Sequence, residues 1–192
     1  MEKIKVLLAS GDYISLGAWQ KAYGLPENST MIGKHFSYTE HKFQEDINRY
    51  GELIVCAPLM QVLDLYREKK NSPVKINSFN RDEKKQLELH TEGFRAATFS
   101  PHVVKLAVDC DTPNPEHLKN GEDAFKLVRD NAKFALEAGK ELGIGVRVGS
   151  EQYIKAGYTF IHIDVTPEYY GKGKVWSGKP HPEVWEVDQK TW

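Results

Sequence analysis

The stretch "SPHVVKLAVD", residues 100–109, places a histidine and an aspartate, His102 and Asp109, at the ends of an apolar run. Val103, Val104, Leu106, Ala107 and Val108 favour burial, while the two polar ends resist it unless something compensates their lost hydration. A metal ion would do so. A second apolar run, "YTFIHIDV" at 158–165, carries His162. In a strand, Tyr158, Phe160, His162 and Asp164 leave one face, and Thr159, Ile161, Ile163 and Val165 leave the other. Two imidazoles and one carboxylate are a zinc donor set, and three protein ligands leave a tetrahedral zinc one position for water, as hydrolysis requires. The spacing sets one condition. His102 and Asp109 are an odd number of positions apart, so one flat strand cannot aim both at a single point. Either a β-bulge intervenes or His102 lies just before the strand. A single histidine in a strand is more often structural than a ligand, so the surrounding segments have to decide.

Those segments form a recognisable order. "APLMQVLDLYREKK" (57–70) is an amphipathic helix in which Pro58 suits the first turn and Leu59, Val62, Leu63 and Tyr66 form one apolar stripe. "NSP" breaks it, and "VKINSF" (74–79) alternates as a strand with Val74 and Ile76 on one face. Residues 82–101 are polar and mixed, and are expected to form a long loop, or a loop with one helical turn; such length in a loop points to function. A strand over 103–109 follows, then the turn-rich "DTPNPEHLKNG". "EDAFKLVRDNAKFALEAGKELG" (122–143) is the strongest helix, with Phe125, Val128, Ala132, Ala135, Ala138 and Leu142 at helical spacing and Gly143 as its stop. "IGVRVGS" and "YTFIHIDV" are two further strands. The pattern predicts an α+β domain with a small, mostly antiparallel sheet and flanking helices. Residues 1–34 carry two short elements around Gly11 and the "GLPENST" turn signal, and are expected to form an N-terminal extension or arm to a domain spanning 35–192.

The chain has 192 residues, enough for one domain with a real core. Its formal net charge of -1 gives no electrostatic case for nucleic acid or an anionic membrane. Short basic clusters such as Lys69-Lys70 and Lys84-Lys85 fit solvated helix faces. Cys56 and Cys110 sit in no CxxC pair and are expected to be buried free thiols. No run approaches the roughly 20 apolar residues of a membrane helix. The first residues, "MEKIKVLLASGDYISLG", have too short an apolar stretch for an export signal, which needs about 7–15 residues. Localisation outside the cytoplasm would then depend on lysis, a virion or a secretion machine. Of the remaining histidines, His35, His41, His117 and His181 are assigned to surface or loop, and His90 remains open as a substrate contact or as a support to a ligand.

"SPHVVKLAVD" resembles the SxHxxGxAxD signature of the M15 family of zinc peptidoglycan peptidases, the D-Ala-D-Ala carboxypeptidase and endopeptidase group with a hedgehog-like fold; Ser100, His102, Ala107 and Asp109 match. "FIHIDV" resembles the family's second signature. Upstream, "FSYTEH" (36–41) is similar to its "FS..EF" opening, and "LMQVLDLYREKKNSPVKINSFNR" (59–81) to its helix and the strand ending in "INSGYR". The resemblance runs in order over about residues 35–186 and implies that His102, Asp109 and His162 hold Zn2+. It implies a substrate-binding role beside the zinc for Arg81, with Arg95 as competitor, and includes Ser100 in the substrate-side motif. Three positions depart from the pattern: Lys105 stands where the signature has glycine, Phe79 replaces the "SGYR" glycine, and Thr159 occupies the place of an acid that serves many branches as general base. The interval from Arg81 to His102 is also longer.

The resemblance implies a zinc metallopeptidase, either carboxypeptidase or endopeptidase, that hydrolyses peptide bonds in peptidoglycan stems or crosslinks. The general base is open. Asp164, on the face of His162, serves either as base or as a partner orienting a ligand imidazole; Glu151 and Glu92 are weaker candidates. The alternative is a catalytically inactive relative, a structural or wall-binding component of a phage or secretion particle that docks through residues 1–34.

Overall fold

A four-stranded antiparallel sheet with one apolar and one charged face organises the half of the molecule that carries the candidate ligands. The computed structural model describes residues 3–91, 100–111, 121–149 and 160–165, with the backbone alone at 90 and 121–125. The sheet runs β4 (Ile76–Ser78), β5 (Ala107–Cys110), β7 (Ile161–Val165), β6 (Val146–Gly149), with every neighbouring pair antiparallel. Residues directly opposite in such a ladder project on the same side. Val108, Ile163 and Val148 form one such row, and Val165 faces Val146. These are the apolar rows, with Ile161, Ile163 and Val165 almost fully buried. The alternate rows carry Asp109 opposite His162, and Asp164 opposite both Ala107 and Arg147.

Two helices, α3 (Ala57–Lys70) and α5 (Gly121–Leu142), pack on each other and against β7. The expected stripe of α3 is fully buried at Leu59, Val62, Leu63 and Tyr66. On α5, Val128, Ala132, Ala135 and Ala138 are buried, whereas Leu142, expected in the same stripe, is exposed in the last turn. Gly139 explains how closely α5 approaches the sheet: a Cβ there would stand 2.4 Å from a methyl group of Val146. The helix then stops at Gly143, whose φ of +66° suits a residue without a side chain.

A second sheet joins β2 (Tyr13–Ser15), β1 (Ile4–Leu7) and β3 (Leu53–Cys56), with β1 antiparallel to β2 and parallel to β3. Strand β1 pairs along the full length of β3, and Ile4, Val6, Leu7, Trp19, Leu25 and Ile32 lie in the same core as α3. Helix α1 (Leu16–Tyr23) starts where the Ser15 hydroxyl accepts the Ala18 N–H, and α2 (His41–Tyr50) buries Phe43 and Ile47. The result is an α+β architecture with five helices and two small, mostly antiparallel sheets among the described residues. No helix there is long and apolar enough to cross a membrane.

Two expectations fail locally. Residues 83–91 form a helix, α4 (Glu83–Thr91), where a long loop was expected. Asp82 starts it by accepting the Lys85 N–H at 2.6 Å, a common helix-opening device. The apolar period is absent because the residue α4 turns inward is Gln86, while Leu87 is exposed. The strand expected over 103–109 is also shorter: β5 begins at Ala107, and residues 101–105 are a turn.

Candidate metal centre

The turn answers the spacing problem. His102 precedes the strand, and a tight series of backbone bonds folds it back over Asp109: Val103 N–H to Ser100 O, Lys105 N–H to His102 O, and Leu106 N–H to Pro101 O. Lys105 has a φ of +68°, the left-handed conformation that reverses the chain. A lysine holds that conformation at a cost of roughly 1–2 kcal/mol. The bulge contemplated for β5 lies instead in β4, where the register shifts between Ile76 and Ser78 and places Ser78 opposite Asp109.

His102, Asp109 and His162 converge, with one potential ligand atom from each lying within 4.8 Å of the others. Each imidazole is oriented through its second nitrogen. His102 Nδ1 donates to the Phe79 carbonyl at 2.7 Å, so its Nε2 carries the lone pair in the neutral ring. That Nε2 is buried and has no hydrogen-bond partner, although Asp109 Oδ1 stands 3.1 Å away. Two acceptors face each other at contact distance, an arrangement that a cation between them resolves. His162 turns Nδ1 to Asp109 Oδ1 at 2.8 Å and Nε2 to Asp164 Oδ2 at 3.2 Å. The donor set, two imidazole nitrogens and a carboxylate oxygen, fits a borderline divalent metal. The group could hold a metal ion through His102 Nε2, Asp109 and His162 Nδ1.

Protonation follows from the same contacts. Burial pushes His102 below its ordinary range, against the pull of Asp109. For His162, burial favours the neutral ring, and the hydrogen bonds to Asp109 and Asp164 overcome it, raising the pKa to about 9. An imidazole facing carboxylates through both nitrogens keeps both protons until a metal displaces one.

Around this centre, Arg81 places one terminal nitrogen 3.5 Å from Asp109 Oδ2. Its guanidinium donates to Gln86 Oε1 at 2.7 Å and to Ser78 Oγ at 3.0 Å. Its backbone is fixed from three sides: its N–H donates to His102 O, the Lys105 ammonium donates to its carbonyl at 2.7 Å, and the neighbouring Asn80 N–H donates to buried Asp46. Asp164 offers Oδ2 to His162 while its Oδ1 accepts from Arg147 Nε at 2.7 Å. Ser100 holds the turn, its hydroxyl accepting the His102 N–H at 3.4 Å. Arg95, Glu92, Glu151 and Thr159 lie outside the described residues, as do His117 and His181. His35 and His41 sit against Glu68 and Glu45 away from the centre, and both cysteines are buried and form no disulfide.

Sequence inspection passed over Gln86, Asp46 and Arg147 as parts of this neighbourhood. For Arg147 a signal existed: a charge inside the apolar run "VRV" needs a partner if that run is a strand. For Gln86 there was none, because a glutamine in a polar helix carries no periodic mark.

No protein-family model matches the chain, and no curated protein matches it. Among solved structures, that of the Serratia marcescens L-Ala D-Glu endopeptidase ChiX is similar at 20% sequence identity and a TM-score of 0.49, over 70% of this chain and 98% of that one. At that identity and score, the likeness assigns no activity or residue role to this chain.

Proposed function

We propose that the protein is a zinc-dependent peptidase acting on peptide bonds in bacterial cell-wall peptidoglycan. The observation that carries the reading is the buried, unpartnered Nε2 of His102, facing a carboxylate oxygen that also meets His162. His102 Nε2, Asp109 and His162 Nδ1 would hold the ion. Zinc bound there supplies Lewis acidity toward a carbonyl oxygen and a more acidic water.

The chain's own groups complete the chemistry. Arg81 is tethered by Ser78 and Gln86, so its guanidinium is oriented before substrate arrives. A fork held in that way suits the developing negative charge on a peptide oxygen, or the carboxylate of a peptide stem. Asp164 is engaged by Arg147 and His162, which favours the orienting role over the base. The carboxylate that takes a proton from the attacking water and returns it to the leaving amine is then sought at Glu151 or Glu92. The substrate class rests on the likeness of the four motifs to the M15 signatures.

A second reading, a non-catalytic relative that keeps the fold and the metal, is favoured by one observation: the carboxylate beside His162 is already committed to Arg147. Digestion of purified peptidoglycan by the zinc-loaded protein, with products identified by mass, separates the two. Release of stem peptides that chelation stops and zinc restores is expected. No cleavage by zinc-loaded protein would leave the non-catalytic reading, and cleavage that survives complete metal removal would reject the zinc mechanism.

A further inference from the structure

We infer that Arg147 is a positioning residue for the metal centre, acting through Asp164 to set which nitrogen His162 presents. This rests on the metal reading above and extends it to a third layer of residues. Arg147 lies on β6, directly opposite Asp164 on β7. It is 8% exposed, and it is the only arginine or lysine in the buried class among the described residues. A guanidinium is removed from water at this cost only where its partner is well placed. The partner here is Asp164 Oδ1 at 2.7 Å. The other oxygen of the same carboxylate faces His162 Nε2.

The three groups therefore form a line, Arg147 to Asp164 to His162, ending at the nitrogen that faces Asp109. The ladder register enforces it, since Arg147 and Asp164 are opposed and Asp164 and His162 are alternate residues of one strand. With Oδ1 held by Arg147, the carboxylate cannot rotate to offer its oxygens in another order. Oδ2 then receives Nε2–H, and the ring must present Nδ1 to the metal. A buried ion pair with only a structural role would hold the strands together but leave the metal's affinity and coordination unchanged once the protein is folded.

The test uses the full chain, purified metal-free, in five forms: unaltered, Arg147→Met, Arg147→Lys, Asp164→Asn and the double variant Arg147→Met/Asp164→Asn. Zinc affinity is measured by competition with a chromophoric chelator, and coordination by the visible spectrum of the Co2+-loaded protein. Arg147→Met should weaken zinc binding by about 10–100-fold, the range for partners of metal-ligating histidines, and change the Co2+ spectrum. Arg147→Lys should recover part of the affinity. The double variant removes both members of the buried pair, so it keeps the test open if the single Met variant does not fold. Positioning through Asp164 predicts that it binds zinc no more weakly than Asp164→Asn alone. Wild-type affinity and an unchanged spectrum in a folded Arg147→Met protein would overturn this inference alone, as would a double variant whose losses add. Failure of the unaltered protein to bind zinc or Co2+ would overturn the metal reading and this inference with it.

Discussion

Asp109 and Asp111 stand two residues apart, and both are buried, at 8% and 7% exposed. Their surroundings differ in kind. Asp111 meets three groups that each donate to it: the Tyr66 hydroxyl, the Lys70 ammonium at 2.8 Å and the Lys75 N–H at 3.0 Å. Asp109 meets two imidazole nitrogens and, at longer range, Arg81. One of those nitrogens, His102 Nε2, has its lone pair turned toward the carboxylate. The first carboxylate ties the end of α3 to the start of β4 and is complete. The second is incomplete until a proton or a metal joins it. Burial of an acid therefore does not mark a functional site; a buried acid facing other acceptors does. The backbone separates the two, because Asp111 has a φ of +56° and leaves the strand's alternation.

The largest expected effect tests that contrast directly. His162→Ala should weaken zinc binding by more than about 100-fold, beyond the 10–100-fold loss typical of outer partners, and abolish hydrolysis while far-UV circular dichroism stays native. Asp111→Ala should do the reverse. It strands the Lys70 ammonium and the Tyr66 hydroxyl, costs about 3–5 kcal/mol in urea denaturation, and leaves zinc affinity within a few-fold of wild type in the folded protein. If both variants lose metal equally, the distinction between the two acids fails.

Next in size is the pH response of the Asp109 side. Without metal, His162 titrates near 9, above its ordinary value of 6.5. A folded-state pKa raised in this way adds stability that is fully present below about pH 6.5 and is lost as pH rises through about 9. Zinc must displace the proton on Nδ1, so binding near pH 7.5 should release about one proton. Calorimetry in two buffers of different ionisation heat measures it. Zero release would mean that the ring does not hold its second proton between the two carboxylates.

The smallest effect concerns the turn that brings His102 to Asp109. Lys105→Gly and Lys105→Met both lose the ammonium bond to the Arg81 carbonyl, but only glycine relieves the left-handed backbone. The glycine variant should be the more stable of the two by about 1 kcal/mol. Equal midpoints in chemical denaturation would show that the turn stores no strain at this position.

Much of this was legible from residue types. Periodicity located α3, α5 and the strands around His162 because each buries an apolar face, and alternation correctly put His162 and Asp164 on the face opposite Ile161 and Ile163. It failed for α4, whose inward residue is a glutamine. The sequence alone determined that His102, Asp109 and His162 are the types that hold a metal and that polar ends on apolar runs need a partner. Only the tertiary structure decided which histidine nitrogen faces Asp109, that Arg81 is tethered by Ser78 and Gln86, and that Arg147 stands behind Asp164. Those choices depend on strand register and on a left-handed turn at Lys105, and both are settled by contacts between residues far apart in the chain.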